Sequence, residues 1–534
     1  MPITTTGFKP TEEQQACIDT AKDASANIMV NAFAGCAKST TSELMARATP
    51  VMPSLSLAFN KKIADATRAR FPSHFEVLTM NGLGHRAWSR TISKRLTIVD
   101  KKLGKLTTEV VKATGVRLNG DEWDELRRLA QGAMMKGLVP EKFSGAGRPL
   151  LRDTEDSWQA ICDDLWIQST PTLVDLAREI ITRDILAAYR GEISFDDQIY
   201  CSTMLNGAYT KFPLVMVDEA QDLSPLNHVQ LARCSSDRLI VVGDPLQAIY
   251  AFRGADTQSM SRIRDLRPME SWVDLPLSTT FRCPKLVVER QQHHARGFNA
   301  APSNPSGSIK YLDPSKDEER LDGASAGWTW AQIEVLASRT PAAGRADIVV
   351  LCRNNAPLLS LAFKLIRQQV SVQMLGRDIG KGLQVLARKI IPEGANAGAC
   401  YSAVNAWRDK ERQLAKLNQQ EEKLAGIEDR AECLLATLAG ANCRDREDLL
   451  RALDNIFGRE VGRITLSTIH RAKGLEYDFV LHLDPWRIPS RHAQKQADLG
   501  DPRQLQQEFN LQYVCETRPK HTLAMASLKH FIEG

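Results

Sequence analysis

Two adjacent carboxylates end the apolar run Leu214-Val215-Met216-Val217-Asp218-Glu219. Upstream lies a short segment, Ala32-Phe33-Ala34-Gly35-Cys36-Ala37-Lys38-Ser39-Thr40, that closes with a lysine and two hydroxyls. These residue types suit a magnesium-bound nucleotide. Small residues let backbone N–H groups and a helix N-terminus face phosphate oxygens; Lys38 adds a point charge at the β- and γ-phosphates, and the Ser39 hydroxyl can ligate magnesium. Asp218 can hold the metal, usually through water, and Glu219 can orient or deprotonate the attacking water. A third segment, Gly243-Asp244-Pro245-Leu246-Gln247, brings Gln247, an amide suited to sensing a γ-phosphate or its attacking water. Each run also has a plainer reading, as a buried strand ending in a solvated turn. The phosphate-loop pattern wants glycine at both ends, and here Ala32 and Ala37 stand in those places.

Such groups work only if something holds them together. Ile28-Met29-Val30, Leu214 to Val217 and Leu239-Ile240-Val241-Val242 are short, continuous apolar runs ending in polar turns, the pattern of strands in a parallel sheet covered on both faces. Open α/β sheets place their ligands outside the carboxyl ends of such strands. A helix is expected from Lys38 through Glu43, Leu44 and Met45. Beyond Gln247, the residues Tyr250, Phe252 and Arg253 follow at near-alternating spacing. Flat rings and a guanidinium so arranged can stack on unpaired bases, although an isolated aromatic pair is more commonly core.

With these segments in this order, the chain resembles the superfamily-1 DNA helicases of the UvrD/Rep/PcrA type, close to the F-box DNA helicase and phage-encoded branch. The resemblance covers almost the whole chain. Thr11-Glu12-Glu13-Gln14 looks like the adenine-reading Q motif, with Gln14 as the base contact. Leu57-Ala58-Phe59-Asn60-Lys61 looks like motif Ia and Thr79-Met80-Asn81-Gly82-Leu83-Gly84 like the next DNA motif, where the family often has His in place of Asn81. Phe195-Asp196-Asp197 matches the segment before motif II, and Asp218 to Asp222 is the DEAQD form of motif II itself. Gly243 to Ala255 is similar to motif III, Thr280-Phe281-Arg282 to motif IV, Leu466 to Glu476 to motif V, and Tyr513-Val514-Cys515-Glu516-Thr517-Arg518 to motif VI.

The resemblance implies ATP and Mg2+ as cofactors. The nucleotide would be held by Gln14, Ala34, Gly35, Cys36, Ala37, Lys38, Ser39, Thr40 and Gly474, with Glu476 as a ribose contact and Ser39 and Asp218 on the metal. Lys38, Asp218, Glu219 and Gln247 would serve hydrolysis. Arg282 and Arg518 become arginine fingers that close onto the γ-phosphate, because positioned guanidiniums stabilise the charge of phosphoryl transfer. Single-stranded DNA would meet Phe59, Asn60, Thr79, Asn81, Tyr250, Phe252, Arg253 and His470. The family's own phosphate loop reads Ala-x-x-Gly-x-Gly-Lys-Thr, so Ala32 is ordinary while Ala37 and Ser39 depart. Glycine at position 37 would adopt positive φ at little cost. The loop has therefore either relaxed or holds strain, and Ala37→Gly is expected to improve nucleotide use while lowering stability without nucleotide.

Composition agrees. At 534 residues the chain exceeds a single core. A hydrophobic share of 43% with 25% charged residues describes a soluble globular protein. No apolar run approaches the roughly 20 residues a membrane helix needs, and the N-terminus lacks a secretion-signal pattern. A net charge of +5 is only mildly basic, so nucleic acid would be bound in a local groove rather than by a global field. The 11 cysteines show no C-x-x-C pairing and no zinc spacing, which points to buried thiols in a reduced compartment. The expected location is cytoplasmic in a bacterial or phage-infected cell, or nuclear in a eukaryote.

The expected fold class is α/β, with two RecA-like P-loop motor domains that each carry a mainly helical insertion. The first motor domain is assigned to 1–88 and 190–268, with its insertion at 89–189. The second is assigned to 269–376 and 459–534, with its insertion at 377–458. Amphipathic helices are expected from Asp121 to Lys136 and from Ser157 to Ile167, and an αα-hairpin within Ala406 to Leu438. The second insertion is short beside the family's duplex-binding subdomain. The basic stretch Arg90, Lys94, Arg95, Lys101, Lys102 and Lys105 can follow a DNA backbone or simply form a solvated face. The function implied is an ATP-dependent helicase or translocase on single-stranded DNA and single/double-strand junctions, moving 3′→5′, with replication or recombination proteins as possible partners. A nucleotide-gated DNA-binding or recruitment protein with weak ATPase, and an RNA-directed motor, are the alternatives.

Overall fold

The computed structural model describes residues 9–23, 25–165, 167–250, 258–312, 330–338, 347–368, 370–417, 421–458 and 462–531. Phe252 and Arg253 lie outside them. The chain divides into two compact units, Met1–Ala32 with Ala37–Leu277, and Phe33–Cys36 with Ser278–Gly534.

In the first unit the apolar runs become strands β1 (Asn27–Ala32), β2 (Ser54–Ala58), β3 (Phe75–Thr79), β4 (Phe212–Val217), β5 (Ser235–Gly243) and β6 (Trp272–Leu277). They form one sheet in the order β3-β2-β4-β5-β1-β6, and every pairing is parallel. Met29, Leu55, Val215, Leu239 and Val241 fill its core, as expected for strands buried on both faces. Helix α1 (Glu12–Lys22) precedes β1, and α2 (Lys38–Ala48), α3 (Lys61–Arg68) and α4 (Met80–Ile92) follow β1, β2 and β3 in turn.

The helical insertion has a core of its own. Helices α5 (Lys102–Thr114), α6 (Gly120–Met135), α7 (Glu155–Leu165) and α8 (Pro171–Arg190), with α9 (Phe195–Met204) and Trp88 from the range assigned to the motor domain, pack around Leu129, Trp158 and Ile181. Helices α6 and α7 fall where the amphipathic patterns of 121–136 and 157–167 place them. The basic stretch is corrected at Lys102, which is buried and cannot follow a DNA backbone. Its ammonium lies 2.7 Å from Asp197 of α9 and 3.0 Å from Asp184 of α8. Burial alone would lower its pKa, but the two carboxylates hold it above the usual lysine value. Sequence shows a charge run; only the packing of three helices shows that one member turns inward.

The second unit repeats the architecture with β7 (Ser308–Leu312), β8 (Ile348–Cys352), β9 (Val372–Met374), β10 (Ile464–Thr468), β11 (Tyr477–Leu483) and β12 (Pro519–Ala526), ordered β7-β12-β11-β8-β10-β9 and all parallel. Its helices include α10 (Lys285–Gln291), α11 (Asn355–Arg367), α12 (Arg377–Ile390), α13 (Ala397–Leu417), α14 (Glu421–Gly440), α15 (Arg446–Gly458), α16 (Ile469–Ala472), α17 (Arg491–Asp498) and α18 (Arg503–Glu516). Helices α13 and α14 pack on each other as an αα-hairpin. Unlike the first insertion, α12 to α15 share one continuous core with the sheet: Cys400, Leu434 and Leu453 belong to the same cluster as Val350 and Leu481. All eleven cysteines are buried, and none is in a disulfide. Among the described residues, no helix is long and apolar enough to cross a membrane.

His482, on β11, is buried with neither ring nitrogen hydrogen-bonded. Burial pushes its pKa down to about 4. An unfolded histidine titrates near 6.5, so between those values the unfolded chain binds the extra proton and stability falls as the pH drops. The contribution lost between pH 7 and pH 5 is about 2 kcal/mol. Chemical denaturation at the two pH values should show His482→Leu losing about that much less than the wild type. Equal losses would mean that the imidazole is protonated in the folded state.

Candidate active site

The first unit gathers Lys38 and the acids at one edge of its sheet. β1 runs into the loop that precedes Lys38, the first residue of α2; β4 ends at Asp218; β5 ends at Asp244. Parallel strands deliver all three to their carboxyl edge, where β1 and β5 are neighbours. Ser39 is exposed, and Lys38 and Thr40 are half-buried.

Strain marks this edge. Ala37 is the N-cap of α2 with φ 55° and ψ 35°, the left-handed region. Of the two expected possibilities, strain rather than relaxation is what the loop adopts, at a cost of roughly 1–2 kcal/mol. This reverses the expected stability change. Ala37→Gly gives up about 0.4–1 kcal/mol to unfolded-state entropy, less than the strain it relieves, so it should stabilise the nucleotide-free protein. ATP affinity or turnover should improve by up to about tenfold. Denaturation and ATP titration of the variant check both; a fall in stability would discard the strain account. Glu219 is also left-handed, with φ 52° and ψ 43°. A glutamate is held there only when its surroundings over-determine it.

Those surroundings are a hydrogen-bonded chain. The Glu219 N–H donates to Asp218 Oδ1 at 2.9 Å. Gln221 Nε2 donates to Glu219 Oε2 at 2.6 Å, and Gln221 Oε1 accepts the Asp244 N–H at 2.9 Å. Gln247 Nε2 donates to Asp244 Oδ2 at 2.5 Å. Burial pushes the Asp218 carboxyl up to about 7, and Glu219 adds to the push while Lys38 opposes it. Burial likewise raises Asp244 against Lys38. Asp218, Glu219 and Asp244 stand against one lysine here, and the exposed Ser39 and half-buried Asp218 offer hard oxygen donors. That set suits Mg2+, which takes one or two protein ligands and completes its shell with water and phosphate.

The nucleotide-site residues assigned to Gln14 and to the second unit have local work of their own. Gln14 is 1% exposed: its Oε1 accepts the Thr11 N–H in a capping box, and its Nε2 donates to Thr41 Oγ1 at 3.1 Å. These bonds use one of the amide's two N–H donors and one of its carbonyl's two lone pairs. In the second unit, Arg282 Nε donates to Glu476 Oε2 at 2.7 Å, so two residues 194 apart in sequence are brought together. Burial alone would raise Glu476, but Arg282 and Lys520 hold its carboxyl below the usual range. Arg518 is 1% exposed, with Nε donating to the Val514 carbonyl at 2.8 Å and Nη1 to the Leu475 carbonyl at 3.2 Å. It braces the turn from α18 into β12. Gly474 has φ +83° with open space where a Cβ would point. Gly35, with φ +74°, admits no side chain, because a Cβ would lie 2.5 Å from Thr280 Oγ1. The Ala34 N–H donates to the Tyr513 hydroxyl at 2.9 Å, and Cys36 is buried.

The residues assigned to DNA divide into rings and caps. Phe59, exposed at the end of β2, stacks on Tyr250 with centroids 6.0 Å apart and planes 11° apart. Asn60 Oδ1 caps α3 through the Ile63 N–H, and Thr79 Oγ1 caps α4 through the Gly82 N–H. Asn81 Nδ2 donates to the Phe195 carbonyl at 2.8 Å, tying α4 to α9. His470 sits half-buried on α16.

Residues 12–267 match the UvrD/REP helicase N-terminal domain, and residues 401–530 match the UvrD-like helicase C-terminal domain. The chain belongs to the UvrD-like helicase family. It is 22% identical over 540 residues to F-box DNA helicase protein 1 of Schizosaccharomyces pombe, covering 96% of this chain and 57% of that protein. It is 21% identical to F-box DNA helicase 1 of Gallus gallus, covering 98% and 50%. Against ATP-dependent DNA helicase UvrD2 of Mycobacterium tuberculosis it is 28% identical over 349 residues, covering 59% and 47%. The chain spans about half the length of these relatives.

Within this UvrD-like chain, three polar positions with buried hydrogen-bond partners escaped sequence reasoning. Gln221 and Asp244 link the two motifs that hold Glu219 and Gln247, and spacing carries no sign that they bond to each other. Glu516, inside the segment that ends in Arg518, is fully buried and accepts from Arg290, Gln291 and Gln512. Burial works against its charge, yet these donors hold its carboxyl below the usual range. A glutamate between Cys515 and Thr517 gives no local signal of such a role.

Proposed function

We propose that this chain is an ATP-dependent DNA helicase or translocase that moves 3′→5′ on single-stranded DNA. The observation that supports it best is the chain from Asp218 through Glu219, Gln221 and Asp244 to Gln247, set at the carboxyl edge of a parallel sheet beside Lys38. Lys38 would bind the β- and γ-phosphates, and Ser39 and Asp218 would hold Mg2+, which supplies positive charge against the phosphate oxygens when bound. Glu219, aimed by Gln221, would orient the attacking water and take its proton. Arg282 and Arg518 are proposed to stabilise the transferring phosphoryl group; for Arg518 this requires release of its carbonyl partners. The Phe59 and Tyr250 rings would stack on bases of the strand, and sensing at Gln247 would tie hydrolysis to that grip.

Ala37 supports a second reading, a nucleotide-gated DNA-binding protein with weak ATPase, because a strained loop penalises phosphate binding. One experiment separates them: strand displacement from 3′- and 5′-tailed duplexes, with phosphate release measured in parallel on DNA and RNA. Unwinding of the 3′-tailed duplex alone is expected. Unwinding of the 5′-tailed duplex alone would reverse the polarity, RNA-specific stimulation would point to an RNA motor, and DNA binding without stimulated phosphate release would favour the second reading.

A further inference from the structure

Glu516 closes α18 two residues before Arg518, and its carboxylate is fully buried. A carboxylate in such a place is costly unless donors meet its oxygens. Four N–H groups do. Arg290 gives Nε to Oε2 at 2.7 Å and Nη2 to Oε1 at 3.1 Å, a two-pronged pairing. Gln291 Nε2 donates to Oε2 at 2.6 Å, and Gln512 Nε2 to Oε1 at 3.0 Å. Gln512 is one turn back on α18, but Arg290 and Gln291 end α10, 226 and 225 residues away in sequence.

That same α10 begins three residues after Arg282, and the link between them is stiff. Thr280 Oγ1 accepts the N–H groups of Arg282 at 3.2 Å and Cys283 at 3.3 Å. Asn304 Nδ2 donates to the carbonyls of Thr280 at 2.8 Å and Cys283 at 2.9 Å. Pro284, the N-cap of α10, fixes its own φ. On the other side, only Thr517 separates Glu516 from Arg518. The Cys283 thiol donates to the Thr517 carbonyl at 3.5 Å, so the two segments meet a second time, beside both arginines. Arg290 Nη1 also donates to the Tyr311 hydroxyl of β7 at 2.8 Å, which fixes the guanidinium plane further.

A buried ion pair is weak evidence of stability, since apolar side chains of similar volume often stabilise a core as well or better. What the guanidinium fork supplies is direction, because two parallel bonds fix the plane of one group against the other. We propose that Glu516 is a positioning residue: through Arg290 and Gln291 it holds α10 against α18, so that Arg282 and Arg518 keep the spacing that the transferring phosphoryl group requires. This role rests on the transition-state part proposed for the two arginines, and it adds the pair that aims them.

The test is steady-state ATPase of the full chain with saturating single-stranded DNA, beside thermal unfolding. Glu516→Gln keeps the side-chain shape but turns an amide N–H toward the donors. Its turnover should fall about ten- to hundredfold, the scale of an ångström's misplacement. The KM for ATP should stay within about threefold, because arginines that act in the transition state add little to ground-state binding. Glu516→Leu combined with Arg290→Met replaces the pair by apolar side chains; it should remain as stable as the wild type and show the same loss of turnover. Adding Arg282→Ala to that variant should cost less than Arg282→Ala costs the wild type, since the arginine is already misplaced. Native turnover in the folded apolar variant would make the pair a structural tie and overturn the proposal. So would turnover that falls only where the thermal midpoint falls, or an Arg282→Ala loss that is undiminished in the apolar variant. Full turnover of Arg282→Ala alone would instead sink the arginine reading, and this role with it.

Discussion

Glu219→Gln is expected to bind ATP with near-native affinity and to hydrolyse it on the order of 10²–10⁴-fold more slowly, the range for a lost general base. The substitution keeps the side-chain shape, and its carbonyl oxygen can still accept from Gln221 Nε2, now 2.6 Å from Glu219 Oε2. What the amide cannot do is take a proton from water. The left-handed backbone at residue 219 is no more strained by glutamine than by glutamate, so thermal stability should be preserved. Nucleotide binding followed with a fluorescent analogue, beside single-turnover phosphate release, separates the outcomes. Loss of binding would make Glu219 a structural residue, and near-native turnover would remove it from the mechanism.

Lys38→Ala should bring ATP hydrolysis down by on the order of 10³-fold or more, because two effects add. The β- and γ-phosphates lose a fixed positive charge in a largely desolvated site. Asp218 and Asp244 also lose the lysine that opposes the upward push of burial on their carboxyls. Asp218 is then more fully protonated near neutral pH and a poorer metal ligand. Steady-state ATPase with saturating DNA and Mg2+ tests this, and turnover near the native value would refute the assigned site. Lys38→Arg restores charge but not the compact ammonium, so it should recover little.

Much of the architecture was legible before any coordinates. Continuous apolar runs ending in acids or small residues specify buried parallel strands, because only a sheet covered on both faces tolerates them. The order of the motifs then places Lys38, Asp218 and Gln247 at one edge. The amphipathic patterns of 121–136 and 157–167 placed two helices within a residue or two of their ends, and the charged helical stretch from Ala406 to Leu438, lacking a regular heptad, became the hairpin of α13 and α14. In each case neighbours in sequence carry the information, since strand and helix periods are local properties.

What the tertiary structure decided concerns pairings between distant residues. Lys102 belongs to a basic run by sequence, yet α8 and α9 bring Asp184 and Asp197 against it and turn it into a buried ion cluster. Gln14 and Asn81 are polar residues in recognised motifs, and only the fold shows their amides bonded to Thr41 and to the Phe195 carbonyl. Ala37 could be read as relaxed or strained; its φ of 55° is imposed by joining β1 to α2 through a tight loop. Gln221 meets Asp244, Arg282 meets Glu476, and Arg290 meets Glu516 across 23, 194 and 226 residues. Sequence carries the types of those groups, but a hydrogen bond depends on ångström-scale distance and direction, which only the packed chain sets.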